Sequence, residues 1–314
     1  MAIRRQAEKE RALSKQARQN LRKKKGTLKQ QQVQPVVRAR YMAAVQLLLQ
    51  YWTLFSNAPS KSRTWDESSA EYIEHLYAEG DSLCTASDTL AGIQYMYGRT
   101  MGHLKESWKL TAIWRKVEPP RRVLPFLPIM ALGMAGAALQ MGMPDMAALI
   151  LVGFNVFLRT SEMLTLRVCS ILFHKNKASL TLHETKTGKR KGIDERVTVT
   201  SRLAVQTLKV AVAKMSPADL VSQRSPYAFR KVFKELLMLF DLGLTEYNVY
   251  SLRRGGATAF FAQSGSMDKT MITGRWEHST TARIYINEAT AQASEMRLTQ
   301  KQTCLLHEAA NYLK

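Results

Sequence analysis

Cysteine is nearly absent from this chain: Cys84, Cys169 and Cys304 are three thiols in 314 residues, far apart in the sequence. They exclude a disulfide framework, and no Cys/His group has zinc-like spacing, so a reducing, intracellular setting without a structural metal or other cofactor is expected. Acidic residues are also scarce, 25 against 46 Lys and Arg, which leaves a net charge of +21. Such an imbalance favours a polyanion as partner, through counterion release from phosphates. An unbroken apolar run is missing as well. The stretch from Ile129 to Phe157 is interrupted by Gln140, Gly142, Pro144 and Asp145, which fits two buried helices better than a membrane span. Nothing reads as a lipidation signal or a secretory h-region, so a membrane partner is not expected.

What remains is a hydrophobic fraction of 46%, enough for two compact domains. Residues 1–35 hold few apolar side chains, a Gln30-Gln31-Gln32 run and the cluster Arg22, Lys23, Lys24 and Lys25. The first forty residues carry thirteen Lys or Arg and two Glu, about half the net charge. Ordering this tail is not repaid by burial, so it reads as a disordered basic segment that touches DNA non-specifically or serves as a nuclear import signal. From residue 36 to 116 a helical period takes over, with Tyr41, Val45, Leu48, Trp52 and Phe55 on one face and further helices over Trp65–Tyr77, Leu83–Tyr97 and Leu104–Trp114. Aromatics at this spacing are core residues of a small helical domain. Residues 117–124, with Pro119-Pro120-Arg121-Arg122, read as a linker able to follow a phosphate backbone.

The second domain, 125–314, opens with the two apolar helices and then changes to period two. Ser170–His174, Ser179–Glu184 and Glu195–Thr200 read as a three-stranded antiparallel meander, with Lys186 near the tip of its second hairpin. Helices return after Arg202. The expected fold is therefore mainly α with a small antiparallel β-meander. The segment Ala291–Lys314, with Leu298, Leu305, Leu306, Ala309 and Leu313, reads as a helix packed on its own domain.

Five residues of four types stand in one order: Arg159, Lys186, Arg253, Trp276 and Tyr285. Phosphodiester exchange needs a nucleophile, positive charge on the non-bridging oxygens and an acid for the leaving oxygen. Guanidinium groups suit the second role, since their fork donates two parallel hydrogen bonds to a phosphate. Lys186 suits the acid, Trp276 offers an indole N–H, Glu162 lies one helical turn after Arg159 and orients the basic groups, and Tyr285 is the nucleophile. Each is commonplace alone; their joint order carries the inference. Arg254 and Arg275 are further candidate DNA-contacting cations.

The run Phe157-Leu158-Arg159-Thr160-Ser161-Glu162-Met163-Leu164, together with Tyr250–Tyr285, resembles the two boxes of the tyrosine recombinases, or phage integrase family. The form Leu252-Arg253-Arg254-Gly255-Gly256-Ala257-Thr258 is similar to recombinases of eukaryotic mobile elements. The resemblance implies a two-domain clamp around double-stranded DNA, a core-binding-like helical domain before the catalytic one, and DNA cleavage and rejoining through a 3′-phosphotyrosyl intermediate. It implies a homo-tetramer on two DNA sites, no cofactor and no small-molecule substrate, and, in a eukaryotic host, the nucleus. It assigns catalysis to Arg159, Lys186, Arg253, Trp276 and Tyr285, support to Glu162, and docking on a neighbouring protomer to the last helix. Tyr250 stands where the family usually has histidine, and Arg254 replaces a frequent second histidine. A phenol donates a hydrogen bond but is a poor acid or base near neutrality. A catalytically inactive DNA-binding protein and a type IB topoisomerase-like relaxing enzyme are the alternatives.

Overall fold

In a computed structural model, residues 13–120, 122–183, 185 and 194–313 are described. The chain divides into two compact units between Arg121 and Arg122. Lys186, Arg121 and residues 1–12 lie outside the described residues.

The first unit begins with a difference from expectation. Residues Lys15–Lys25 form a helix, α1, within the segment read as disordered. Ser14 caps it by accepting from the Ala17 N–H, and Arg22, Lys23, Lys24 and Lys25 occupy the last turn, where cations favour the helix dipole. No residue of α1 is buried. It is a helix of good formers without an apolar face, so composition concealed it. Downstream, the Lys29 ammonium donates to the Met96 carbonyl at 3.1 Å.

Four helices then build a core: α2 (Pro35–Phe55), α3 (Trp65–Ala78), α4 (Leu83–Met96) and α5 (Lys105–Val117). A capping box fixes the start of α3, where the Thr64 side chain and Glu67 satisfy each other's backbone N–H groups. Val45, Leu48, Trp52, Tyr72, Ile73 and Trp114 are buried together. The indole N–H groups of Trp52 and Trp114 are spent internally, on the Ser68 carbonyl at 3.1 Å and Glu118 at 2.8 Å. Phe55 leaves the expected face and is 58% exposed, because the helix stops at Ser56 in a left-handed conformation.

In the second unit the two apolar helices are α6 (Pro128–Gln140) and α7 (Pro144–Asn155), separated by Gly142 at φ +72°. Short α8 (Thr160–Leu164) leads to the meander of β1 (Ile171–His174), β2 (Lys177–Leu182) and β3 (Glu195–Val199). Its order is β1-β2-β3, antiparallel, with Leu180 opposite both Ile171 and Val197. Seven helices follow: α9 (Arg202–Val212), α10 (Pro226–Leu239), α11 (Tyr250–Ser264), α12 (Met267–Gly274), α13 (Ser279–Tyr285), α14 (Glu288–Arg297) and α15 (Gln300–Ala310). The mainly α fold with a small antiparallel meander is thus the fold observed, and no helix among the described residues is long and apolar enough to cross a membrane.

The segment expected as one terminal helix is two, α14 and α15. Leu306, Ala309 and Leu313 are buried against α6 of the same chain. The contact is backbone to backbone at Gly136, where a Cβ would collide with the Ala309 carbonyl. Gly136→Ala is therefore expected to lower the unfolding free energy by about 2 kcal/mol, read by urea titration, whereas Gly98→Ala, with nothing within 4 Å of the added carbon, leaves it unchanged.

Candidate active site

The site is assembled from helix ends. Helix α7 closes in a Schellman motif: Phe157 is left-handed at φ +50° and the Leu158 N–H donates to the Gly153 carbonyl at 3.1 Å. This stop leaves Arg159 as the N-cap of α8 and Glu162 in its first turn. One Glu162 oxygen accepts from the Arg159 guanidinium at 2.6 Å, and the other from the Arg159 backbone N–H at 2.8 Å and from Arg275 at 2.7 Å. Glu162 is only 2% exposed. Burial acts against its charge and is the largest single influence, yet Arg275, the Arg159 N–H and the Arg159 charge together outweigh it and hold the carboxyl below its ordinary value.

Arg253, on α11, is fully buried. One of its terminal nitrogens donates to the Phe157 carbonyl and the other to the Gly274 carbonyl at 2.9 Å. Burial, then repulsion from Arg159 and Arg275, lowers this guanidinium to about 10, so it remains a cation at neutral pH. Its carbon lies 4.9 Å from the Trp276 ring centroid and 5.1 Å from that of Tyr285. Its Nε and the Trp276 indole N–H are buried without a hydrogen-bond acceptor among the described residues.

Trp276 is placed by the end of α12. Gly274 lacks the side chain that would meet the indole, and Arg275, left-handed at φ +57°, turns the chain back. The indole stacks between Phe157 and Tyr285, with centroids 6.2 and 4.8 Å away. Tyr285 ends α13, and its hydroxyl accepts from that of Tyr250 at 2.6 Å. Tyr250 is 41% exposed at the start of α11. Partial burial first, and then the bond to Tyr285, push its phenol up, so Tyr250 keeps its proton and is the donor of the pair.

Arg159, Glu162, Tyr250, Arg253, Trp276 and Tyr285 therefore converge, while Lys186 lies outside the described residues. Two expected DNA-contacting cations are placed otherwise. Arg275 has a side chain only 7% exposed, with Glu162 and Glu195 as its counter-ions, the latter at 3.4 Å. Arg254 is buried and donates to the Val123 carbonyl at 2.8 Å. Arg254 turns inward to a carbonyl of the extended segment before α6, and Arg275 at the C-terminal end of α12 to two carboxylates, which residue type does not reveal. Arg22, Lys23, Lys24, Lys25 and Arg122 are exposed. Residues not singled out from the sequence also border the site: Thr160, Arg230, Lys234 and Asn248 line a cavity of about 300 Å³ beside Tyr250. Their only sequence signal is the i, i+4 pair of cations on amphipathic α10.

No protein-family model and no curated protein matches this sequence. Solved structures do match. XerH site-specific recombinase, in a post-cleavage complex with palindromic difH substrate, is 13% identical, with 81% of this chain and 79% of that one covered and a TM-score of 0.59. The Tn1549 transposon integrase, in complex with transposon right end DNA, is 11% identical over 85% and 95%, with a TM-score of 0.57. A lambda integrase dimer bound to a COC′ core site is 11% identical over 82% and 73%, with a TM-score of 0.55. The chain has the fold of the tyrosine recombinases and integrases.

Because Glu162 is held below the ordinary carboxylate value of 4.5, its ion pairs stabilise the fold fully above that pH, and their contribution is lost as pH falls through the lower folded value. Glu162→Gln is expected to cost about 3 kcal/mol at neutral pH, by leaving Arg275 buried without its nearest counter-charge. In urea titrations the gap from the parent narrows as pH drops below 4.5.

Proposed function

We propose that this chain is a site-specific DNA recombinase or integrase that cleaves and rejoins DNA through a 3′-phosphotyrosyl intermediate. One observation carries the reading: two buried donors, Arg253 Nε and the Trp276 indole N–H, on side chains packed against the Tyr285 ring, lack acceptors among the described residues. Buried donors are costly unless a partner arrives, and a phosphodiester brings acceptor oxygens to a centre that a nucleophile must attack.

In the proposed reaction the Tyr285 oxygen attacks phosphorus, a phosphotyrosyl bond forms and the bond from phosphorus to the 5′-oxygen breaks. Arg253, Arg159 and Trp276 hold the non-bridging oxygens. Lys186 gives its proton to the departing 5′-oxygen, and the Tyr285 hydroxyl gives its own to water as the oxygen bonds, both transfers reversing on rejoining. Tyr250, which keeps its proton, releases its hydrogen bond from the Tyr285 oxygen to a phosphate oxygen, as a neutral donor where the family has histidine. Return attack by a 5′-hydroxyl from another strand completes exchange, with no net change in bond number.

The exposed cations Arg22, Lys23, Lys24, Lys25 and Arg122 are proposed to contact the DNA backbone, Arg121 with them. Double-stranded DNA on two sites, held by a homo-tetramer, is the proposed substrate, and the nucleus the proposed location in a eukaryotic host. The net charge of +21 supports steeply salt-dependent binding.

The test is a trap on nicked duplexes of random sequence, followed by denaturing electrophoresis and peptide mass spectrometry. The expected result is a DNA-linked peptide containing Tyr285. Tyr285→Phe abolishes the adduct while DNA affinity stays within about a factor of two, since many phosphate contacts hold the duplex. Tight binding with no adduct in the parent protein would select the inactive DNA-binding alternative. Adducts with plasmid relaxation but no two-site exchange would select the topoisomerase-like one.

A further inference from the structure

Arg275, expected from the sequence to contact DNA, is placed otherwise. It sits at φ +57°, a region that non-glycine side chains rarely adopt, and its backbone N–H donates to the Ile272 carbonyl at the close of α12. Its side chain turns inward rather than toward solvent. There it meets two carboxylates, Glu162 through one terminal nitrogen at 2.7 Å and Glu195, the first residue of β3, through Nε at 3.4 Å. A guanidinium so enclosed is not available to a DNA groove.

The geometry at Glu162 shows what this side chain accomplishes. Both carboxylate oxygens are needed for Arg159, one for its guanidinium and one for its backbone N–H, and the second of these is the oxygen that Arg275 also grips. With Arg275 in place the carboxylate has one orientation in which all three donors are satisfied. Without it the carboxylate is free to turn toward one donor at the expense of another, and Arg159, which is partly exposed, loses the anchor that aims it.

We propose that Arg275 is a positioning residue: it locks Glu162 in the orientation that aims Arg159 at the reacting phosphate, and through Glu195 it ties that assembly to the start of β3. The proposal rests on the reading of Arg159 as a phosphate ligand. Arg275 Nη1 is buried without a hydrogen-bond partner among the described residues, but the other two nitrogens face Glu162 and Glu195 and the side chain is 7% exposed, so it acts through Arg159 and does not touch DNA.

The test uses the full chain, with Arg275→Gln and Arg275→Lys measured against the parent on a nicked duplex recovered by the trap. In Arg275→Gln the rate of adduct formation at saturating DNA falls by up to about 100-fold, as expected when a reacting group is misaimed. DNA affinity stays within about twofold and its salt dependence is unchanged. Arg275→Lys, which keeps the charge, recovers part of the rate. Adding Arg275→Gln to Glu162→Gln slows the reaction no further, because the two act as one unit. Weaker binding with a salt slope reduced by about one, at an unchanged saturated rate, would make Arg275 a phosphate contact and overturn the proposal.

A second readout needs no DNA. Carbon-13 NMR of labelled glutamate carboxyls, with Glu162 assigned from Glu162→Gln, follows the titration of Glu162 in the field of Arg159, Arg253 and Arg275. Its midpoint moves up in Arg275→Gln and less in Arg275→Lys. No movement would sink the proposal whether or not the protein reacts with DNA. If the parent forms no adduct but the midpoint moves, the recombinase reading fails, and the positioning of Arg159 by Arg275 stands as a property of the fold alone.

Discussion

A carboxylate buried among guanidinium groups organises the second unit. Glu162 has almost no access to water, so its charge persists only if every lone pair that faces the interior finds a donor. Arg159 and Arg275 meet that demand, and in doing so each is fixed by the other's partner. Three arginines in one small volume would otherwise repel, and at Arg253 that repulsion adds to burial, the larger cause, in lowering its proton affinity. Glu162 and Glu195 offset part of it. The positive field left over is the one that a phosphate would meet.

Arg253 is anchored differently. Its two carbonyl partners, Phe157 and Gly274, close α7 and α12, where unsatisfied carbonyls and the negative end of the helix dipole gather. Two helix C-termini therefore hold a buried cation without using a carboxylate. Left-handed residues make both ends possible, Phe157 in one and Arg275 next to the other. Strain of this kind persists where surrounding structure over-determines it, and here it coincides with the site.

The amphipathic and apolar helices and the alternating strands were legible because burial imposes its own period on the sequence. The three-stranded meander and the helices from Trp65 to Trp114 followed from that rule, and the break between α6 and α7 from Pro144, while β2 begins at Lys177, inside the expected turn. Helix α1 was hidden because it buries nothing, and the exposed end of α2 because a left-handed Ser56 leaves no periodic trace. At the site, residue types were readable but orientations were not. Arg254 and Arg275 look like surface cations in sequence, and only their tertiary partners, the Val123 carbonyl for one and Glu162 and Glu195 for the other, turn them inward. Likewise no spacing rule says that the hydroxyls of Tyr250 and Tyr285, which begin and end separate helices, come within 2.6 Å.

The seat of α15 on the glycine face of α6 bears on how the protein is made. Tyr285 leaves the ribosome about fifteen residues before α15 begins, and α6 has no cover at Gly133 and Gly136 until that helix arrives. A growing chain that already carries every residue of the site thus still lacks a wall of its own core. Domains fold as units during synthesis, so a ribosome-bound chain cannot acquire the finished site ahead of α15. The geometry of the site is complete only once translation has passed that helix.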